Sequence, residues 1–283
     1  MNEKSSSKKE HPQDLHRYID EAGDMTFYRK NGKHRVPFTP GNGTSACFMI
    51  GMGHVKEDLN VAREKILRYC KLVETSSELN YSPSTQKLIA KEGKYYPHAK
   101  NDPPQLRHLF FSYIASQINF TVQVVVGRKD VARFEGQHER RESLFYADLM
   151  SHLIKDKGRY SHLILDVAGR GNTTANVNLQ NAVTLAKGRN AKNVNIPPLS
   201  HPIDFNVQPY SNEPLLALTD YALWAVQRVY EKGELYFYDM LMHSGHLPLV
   251  FDPYNTAKYG TNDNWHTPRN PLTIDCWLNR PEA

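Results

Sequence analysis

Three carboxylates stand within five residues at Asp20-Glu21-Ala22-Gly23-Asp24, directly after the apolar step Tyr18-Ile19. Two further aspartates lie in apolar surroundings far along the chain. Asp166 ends the run Leu163-Ile164-Leu165, and Asp220 interrupts the apolar stretch from Pro214 to Val229. Burying an acid is costly unless something positive meets it. A divalent cation is the simplest partner for several acids at once, and carboxylate oxygens suit the hard ions Mg2+ and Mn2+. Two such ions about 3.5–4 Å apart activate a water and stabilise the leaving oxygen of a phosphodiester. No P-loop, G-x-G-x-x-G, Ser-His-Asp order or His/Cys zinc pattern competes with that chemistry. The histidines, among them His98, His108, His138 and His162, are scattered without ligand spacing.

Each acid has a plainer reading beside the metal one. Asp20 follows two strand-forming residues, and Gly23 supplies the freedom for a sharp turn, so the segment reads as a strand end pointing into a crevice or simply as an acidic turn. Asp166 has the same position at the end of an apolar strand, with capping of the following loop as its alternative. Asp220 lies opposite the helical face of Leu218, Ala222, Ala225 and Val229, yet Leu216, Leu223 and Trp224 flank it. A helix apolar nearly all round is a buried helix, so Asp220 needs a metal or a basic partner. Glu78, in Ser76-Ser77-Glu78-Leu79-Asn80, reads as a fourth acid or as a surface residue.

The elements that must carry these residues alternate between strand-like and helix-like patterns, which predicts an α/β domain. The patterning predicts strands at Arg17 to Asp20, Ala46 to Val55, Phe120 to Gly127, His162 to Asp166 and Asn193 to Ile196. It predicts helices over Leu59 to Val73, Pro104 to Gln117, Glu142 to Lys155, a stretch opened by Thr173 or Thr174 and ending near Lys187-Gly188, and Glu213 to Lys232. The Gly- and Pro-rich stretch from Asn31 to Thr44 reads as a loop, as does the basic stretch from Ser76 to Lys100. The first strands suit a hairpin and the later ones crossover units. Residues 1–15 are expected to be a disordered polar tail, and residues 16–283 one domain with an irregular extension after about 235.

The 283 residues suffice for a real core, and 40% hydrophobic and 23% charged residues are ordinary for a globular chain. No apolar run reaches the roughly 18 residues of a membrane span, and the polar start Met1-Asn2-Glu3-Lys4 lacks a secretory apolar segment. Three widely spaced cysteines, Cys47, Cys70 and Cys276, form neither a metal pattern nor a disulfide framework, so the expected compartment is a reducing cytoplasm. A net charge of +5 permits a nucleic-acid partner without demanding one. Lys87, Lys91, Lys94, His98 and Lys100 surround Tyr95-Tyr96, a mixture that holds phosphates and stacks bases or is a solvated basic loop. Arg170, close after Asp166, is placed either to approach a phosphate or to pair with an acid. Lys187, Arg189 and Lys192 read as a helix C-terminus meeting its dipole.

The segment Tyr18 to Asp24 resembles the D-E-S-G strand end of a large bacterial family, domain of unknown function 3800. Ser77-Glu78-Leu79-Asn80 is similar to its s-E-l-k segment, Leu163 to Asp166 to its central strand, and Pro214 to Tyr221 to its L-Q-L-A-D helix. Ala22, Ala217, Thr219 and Asn80 depart from that pattern without removing a carboxylate. The resemblance implies a ribonuclease H-like fold with a five-stranded mixed sheet flanked by helices. Its acids would sit on the first strand, a helix, the fourth strand and a late helix. It thereby implies Asp20, Glu78, Asp166 and Asp220 as catalytic acids, with Glu21 an additional metal ligand, Mg2+ or Mn2+ as cofactor, and a place in mobile-element or phage-defence systems.

The sequence therefore predicts a metal-dependent phosphodiester hydrolase acting on RNA or DNA, with Arg170, Lys94, Tyr95 and Tyr96 as substrate contacts. The alternatives are a binding or sensor subunit of a defence complex with the same fold, and a small-molecule phosphatase or nucleotidase.

Overall fold

The computed structural model describes residues 15–31, 34–37, 45–154, 162–169, 179–185, 187–188, 202–255 and 264–278. The first long strand, β1 (Leu15–Gly23), pairs antiparallel with β4 (Cys47–Val55), which pairs antiparallel with β5 (Phe120–Arg128). On its other side β1 runs parallel to β6 (Leu163–Ala168), and β6 parallel to β7 (Ile203–Gln208). Two short strands, β8 (Leu249–Phe251) and β9 (Trp265–His266), extend the sheet beyond β5. The result is a mixed α/β sheet of seven strands in the order β7-β6-β1-β4-β5-β8-β9. The expectation of five strands is corrected to seven. Three of the seven described strands, β7, β8 and β9, have no counterpart among the expected ones; β8 and β9 lie beyond residue 235, where an irregular tail was expected, and are too short to carry a readable alternation.

Helices cover both faces of this sheet. On one face lie α1 (Leu59–Thr75), α3 (Pro104–Gln117) and α7 (Leu216–Lys232). On the other lie α4 (Val131–Gln137) and α5 (Glu142–Leu153), joined by α6, described over residues 179–185. Strand alternation separates the two cores. Tyr18, Met49, Val124 and Val126 face α7, whereas Ile19, Ile50 and Val125 face α5. A short helix, α8 (Tyr236–His243), follows α7 and is another departure from the irregular tail.

Two further elements replace expected loops. Tyr28–Asn31 and His34–Pro37 pair as a separate hairpin, β2-β3, inside the stretch read as a loop. Within the basic stretch, α2 (Pro83–Glu92) has a full set of end signals. Ser82 caps it through Thr85 N at 3.2 Å, Pro83 opens it, and Gly93 closes it at φ 72°. The strand expected at Asn193 to Ile196 and the start of the helix expected after Thr173 fall outside the described residues.

The packing of α7 onto the sheet sets the site. Gly51 and Gly53 of β4 lie opposite Asp20 and Tyr18 of β1. A Cβ on Gly51 would stand 2.8 Å from Thr219 Cγ2 and 2.9 Å from the Leu223 side chain. Their bare backbone lets α7 press onto the strands, and Thr219 Oγ1 donates to the Tyr18 carbonyl at 3.1 Å. Twelve of the helix's seventeen residues are buried, so its docking is driven by apolar contact from nearly every side. That close approach carries Asp220, the residue after Thr219, to the acid on β1. All three cysteines are free. No helix among the described residues is long and apolar enough to cross a membrane.

Candidate active site of buried acids

Asp20, Asp166 and Asp220 are all buried. Tyr18 of β1 is level with Asp166 of β6, so Tyr18, Asp20 and Asp166 share one sheet face. Asp20 lies one pleat repeat further along and one strand across from Asp166, which puts their Cα atoms roughly 8 Å apart by strand geometry. The α7 helix covers this face and supplies Asp220.

The three acids differ in their company. Asp20 accepts from the Tyr210 hydroxyl at 2.5 Å. Burial, and next the charge of Asp220, raise its pKa from 3.8 to about 7, against hydrogen bonds from Tyr210 and the Glu21 backbone. Asp220 accepts from the Ala99 amide at 2.6 Å and has His98 Nδ1 at 3.5 Å. Asp166 accepts from Gln208 Nε2 at 2.8 Å, Asn206 Nδ2 at 3.3 Å and His16 Nδ1 at 3.2 Å. Asp20 and Asp220 thus form an electrostatically coupled pair, with Asp166 on the neighbouring strand amid amide and imidazole donors.

A loop missed as a structural feature completes the pair. Asp102 is buried and accepts from the hydroxyls of Tyr95 (2.9 Å) and Tyr221 and from the His98 amide (3.0 Å). Arg107 donates to the carbonyls of Ala99 at 2.6 Å and Asp102 at 2.5 Å. These bonds fix residues 95–102 against α7 and aim the Ala99 amide at Asp220. Tyr210 lies over the loop. Its ring is 5.4 Å from His98 and 6.4 Å from Tyr96, the latter pair only 4° from parallel. Tyr96, His98 and Tyr210 are each partly exposed.

Arg63 of α1 brings a cation within electrostatic reach of Asp166. It grips Glu213 with Nη2 at 2.7 Å and Nε at 3.0 Å, and the charges of Tyr18 and Asp166 act on it. Glu213 also accepts from the Leu215 amide at 3.1 Å, so this pair ties α1 to the start of α7.

The remaining expected site residues separate from the pair. Because β1 continues to Gly23, Glu21 is a strand residue on the opposite face. There it acts on Tyr146 of α5, whose pKa is raised by burial and then by Glu21. Its assignment as a ligand beside Asp20 is corrected by this alternation. Asp24 is claimed by Lys129 Nζ at 2.6 Å and the Ser45 amide at 2.9 Å. Glu78 is exposed in the turn after α1, with no described interaction linking it to the three aspartates. Tyr95 is a core residue on Asp102, so its ring is closed to a substrate and that expectation is corrected as well. Lys94 is exposed and donates to the Ser211 carbonyl at 2.5 Å, joining the loop to the Tyr210 segment. Arg170 lies outside the described residues.

The donor set can be weighed against a divalent ion directly. Among the described residues, no three His, Cys, Asp or Glu side chains converge closely enough to form a metal group. Two coupled carboxylates nevertheless fit Mg2+ in kind, because this ion is commonly held by one or two carboxylates, waters and substrate phosphates. The Asp20 pKa is raised first by burial and then by the charge of Asp220, so its ionised form is disfavoured. Compared with known protein families, curated proteins and solved structures, the chain finds no significant match.

Proposed function

We propose that this chain has a ribonuclease H-like fold and hydrolyses phosphodiester bonds of nucleic acid with the aid of Mg2+ or Mn2+. The observation that carries the reading is that Asp20 and Asp220 are both buried where α7 crosses β1, with the charge of Asp220 acting on Asp20. The order of the elements supports the fold. Among the five central strands, Asp20 is on the first and Asp166 on the fourth in chain order, and Asp220 is on a late helix. These are three of the four positions that the resemblance to domain of unknown function 3800 implies.

In this reading Asp20 and Asp220 hold the ion, and Asp166 faces the same crevice from the adjoining strand. A bound divalent ion supplies an activated water and a counter-charge for the phosphate. Tyr210 orients the Asp20 carboxylate, and the Ala99 amide orients that of Asp220. His98, beside Asp220, is positioned to exchange a proton with water or a leaving oxygen.

A cleavage assay on labelled RNA and DNA, with Mg2+, Mn2+ or EDTA, tests the proposal. Cleavage should require the ion and fall roughly 100-fold or more in Asp20→Asn and in Asp220→Asn, several kcal/mol of transition-state stabilisation being at stake. Cleavage that persists in EDTA, or survives Asp220→Asn, overturns it. The hydrogen bonds that already engage all three acids favour a second reading, a binding subunit without catalysis. Nucleic-acid binding with no cleavage under any ion would select it.

A further inference from the structure

Tyr96, Tyr210 and His98 form a row of rings that touches both members of the acid pair. Tyr210 donates to Asp20, and His98 lies against Asp220. The row is built to hold its geometry, since Asp102 and Arg107 pin the loop from below and Lys94 ties it to Ser211 beside Tyr210. Tyr96 stands at the end of the row, partly exposed and parallel to Tyr210. Lys91 and Glu92 at the end of α2 both act on it, and exposed Lys94 and Lys100 lie within four residues of it along the chain.

A ring row of this kind recognises flat faces. In a duplex, base faces are stacked on one another and closed to side chains, whereas unpaired bases expose them. Cations around a stacking platform add phosphate contacts that depend little on sequence. From this juxtaposition we infer that the site takes single-stranded nucleic acid, a base stacking on Tyr96 and Tyr210 so that its phosphate lies at Asp20 and Asp220. This rests on the hydrolase reading above and names its substrate class. Tyr96 is a positioning and specificity residue here, since none of its described contacts is with the three acids.

The experiment uses the full chain and a fluorescent oligonucleotide of about 12 nucleotides, single-stranded or annealed to its complement. Binding is read by anisotropy in EDTA at about 0.1 M salt, and cleavage separately in Mg2+. The single strand should bind at least tenfold more tightly than the duplex. Tyr96→Ala should weaken single-strand binding about tenfold, the effect of losing one stacked base, with duplex binding unmoved. Tyr96→Phe should restore the affinity, which separates stacking from any damage to the fold. Equal affinity for the two forms, or a folded Tyr96→Ala protein that binds the single strand like the wild type, overturns the inference. Tyr96-dependent single-strand binding without Mg2+-dependent cleavage removes the hydrolase reading and keeps this recognition. Cleavage of both forms alike, insensitive to Tyr96, keeps the hydrolase and removes the stacking row.

Discussion

Two of the places where the described residues bury carboxylates treat them in opposite ways. At the β5–β8 side, Asp252 is fully buried and meets Arg128 through Nε and Nη2, each at 2.7 Å, with the Tyr230 hydroxyl at 3.2 Å. At the β1–α7 crossing, Asp20 meets a tyrosine hydroxyl and the charge of a second aspartate. Burial raises the pKa of both acids. The next influence at Asp252 is an arginine that pulls it down, while at Asp20 it is a carboxylate that pushes it up. One acid is neutralised by the chain itself. The other has a carboxylate where the first has an arginine, and that neighbour favours its protonated form. Asp102, buried among hydroxyls and an amide, shows that a structural acid can do without an arginine, so what sets the second site apart is the meeting of two buried carboxylates.

The comparison breaks if the two sites respond alike to loss of charge. Arg128→Met leaves Asp252 buried without its cation and should destabilise the protein by about 3–5 kcal/mol near neutral pH, read by denaturant unfolding. Asp20→Asn should do the reverse when no divalent ion is present. The Asp20 pKa is about 7 folded against an ordinary 3.8, so folding takes up a proton between those values. Through this group the wild type is therefore most stable below about pH 4, loses stability as pH rises towards 7, and is flat above. Asparagine does not titrate, so Asp20→Asn should gain about 2–4 kcal/mol over the wild type at pH 8 in EDTA, and little at pH 4. Saturating Mg2+ should close that gap by stabilising only the wild type. An Asp20→Asn protein less stable than the wild type at pH 8 in EDTA would mean that Asp20 is compensated as Asp252 is.

The same contrast explains what the sequence made legible. Asp20 and Asp166 were readable because an acid at the end of an apolar run breaks a strong local pattern, and Asp220 because it interrupts a helix apolar on nearly every side. Glu21 was misplaced because the strand was ended at Asp20, three residues too soon. Once β1 is continued to Gly23, period-two alternation alone sends Glu21 to the other face. The helix α2 carried its own signals in Ser82, Pro83 and Gly93, obscured by its polar composition. Tyr210 had no local signal, and His98, legible only as part of a basic aromatic stretch, had none that tied it to the acids. Their place beside the acids arises from the return of two separate segments onto α7, fixed by Asp102 and by Lys94 on Ser211. Asp102 itself was invisible for the same reason, since its partners Tyr95, His98 and Tyr221 meet only in the folded chain.

The smallest expected effect is the most discriminating, because it separates the two roles that Tyr210 holds. Its hydroxyl donates to Asp20 and lowers that pKa, while its ring stands in the row with Tyr96 and His98. Tyr210→Phe removes only the first. A hydrogen bond to a charged group contributes about 1.5 kcal/mol, so the midpoint of the pH profile for Mg2+ binding should move upward by about one pH unit. The sign follows from the chemistry: without the donor the ionised carboxylate is less favoured, and a higher pH is needed to expose it to the ion. Single-strand affinity in EDTA should stay within about twofold, since the stacking face is intact. Isothermal titration with Mg2+ across pH 6 to 9, beside the anisotropy measurement, reads both. A profile that does not move would detach Tyr210 from the acid pair, and a lost single-strand affinity with an unmoved profile would make the hydroxyl a contact to substrate instead of to Asp20.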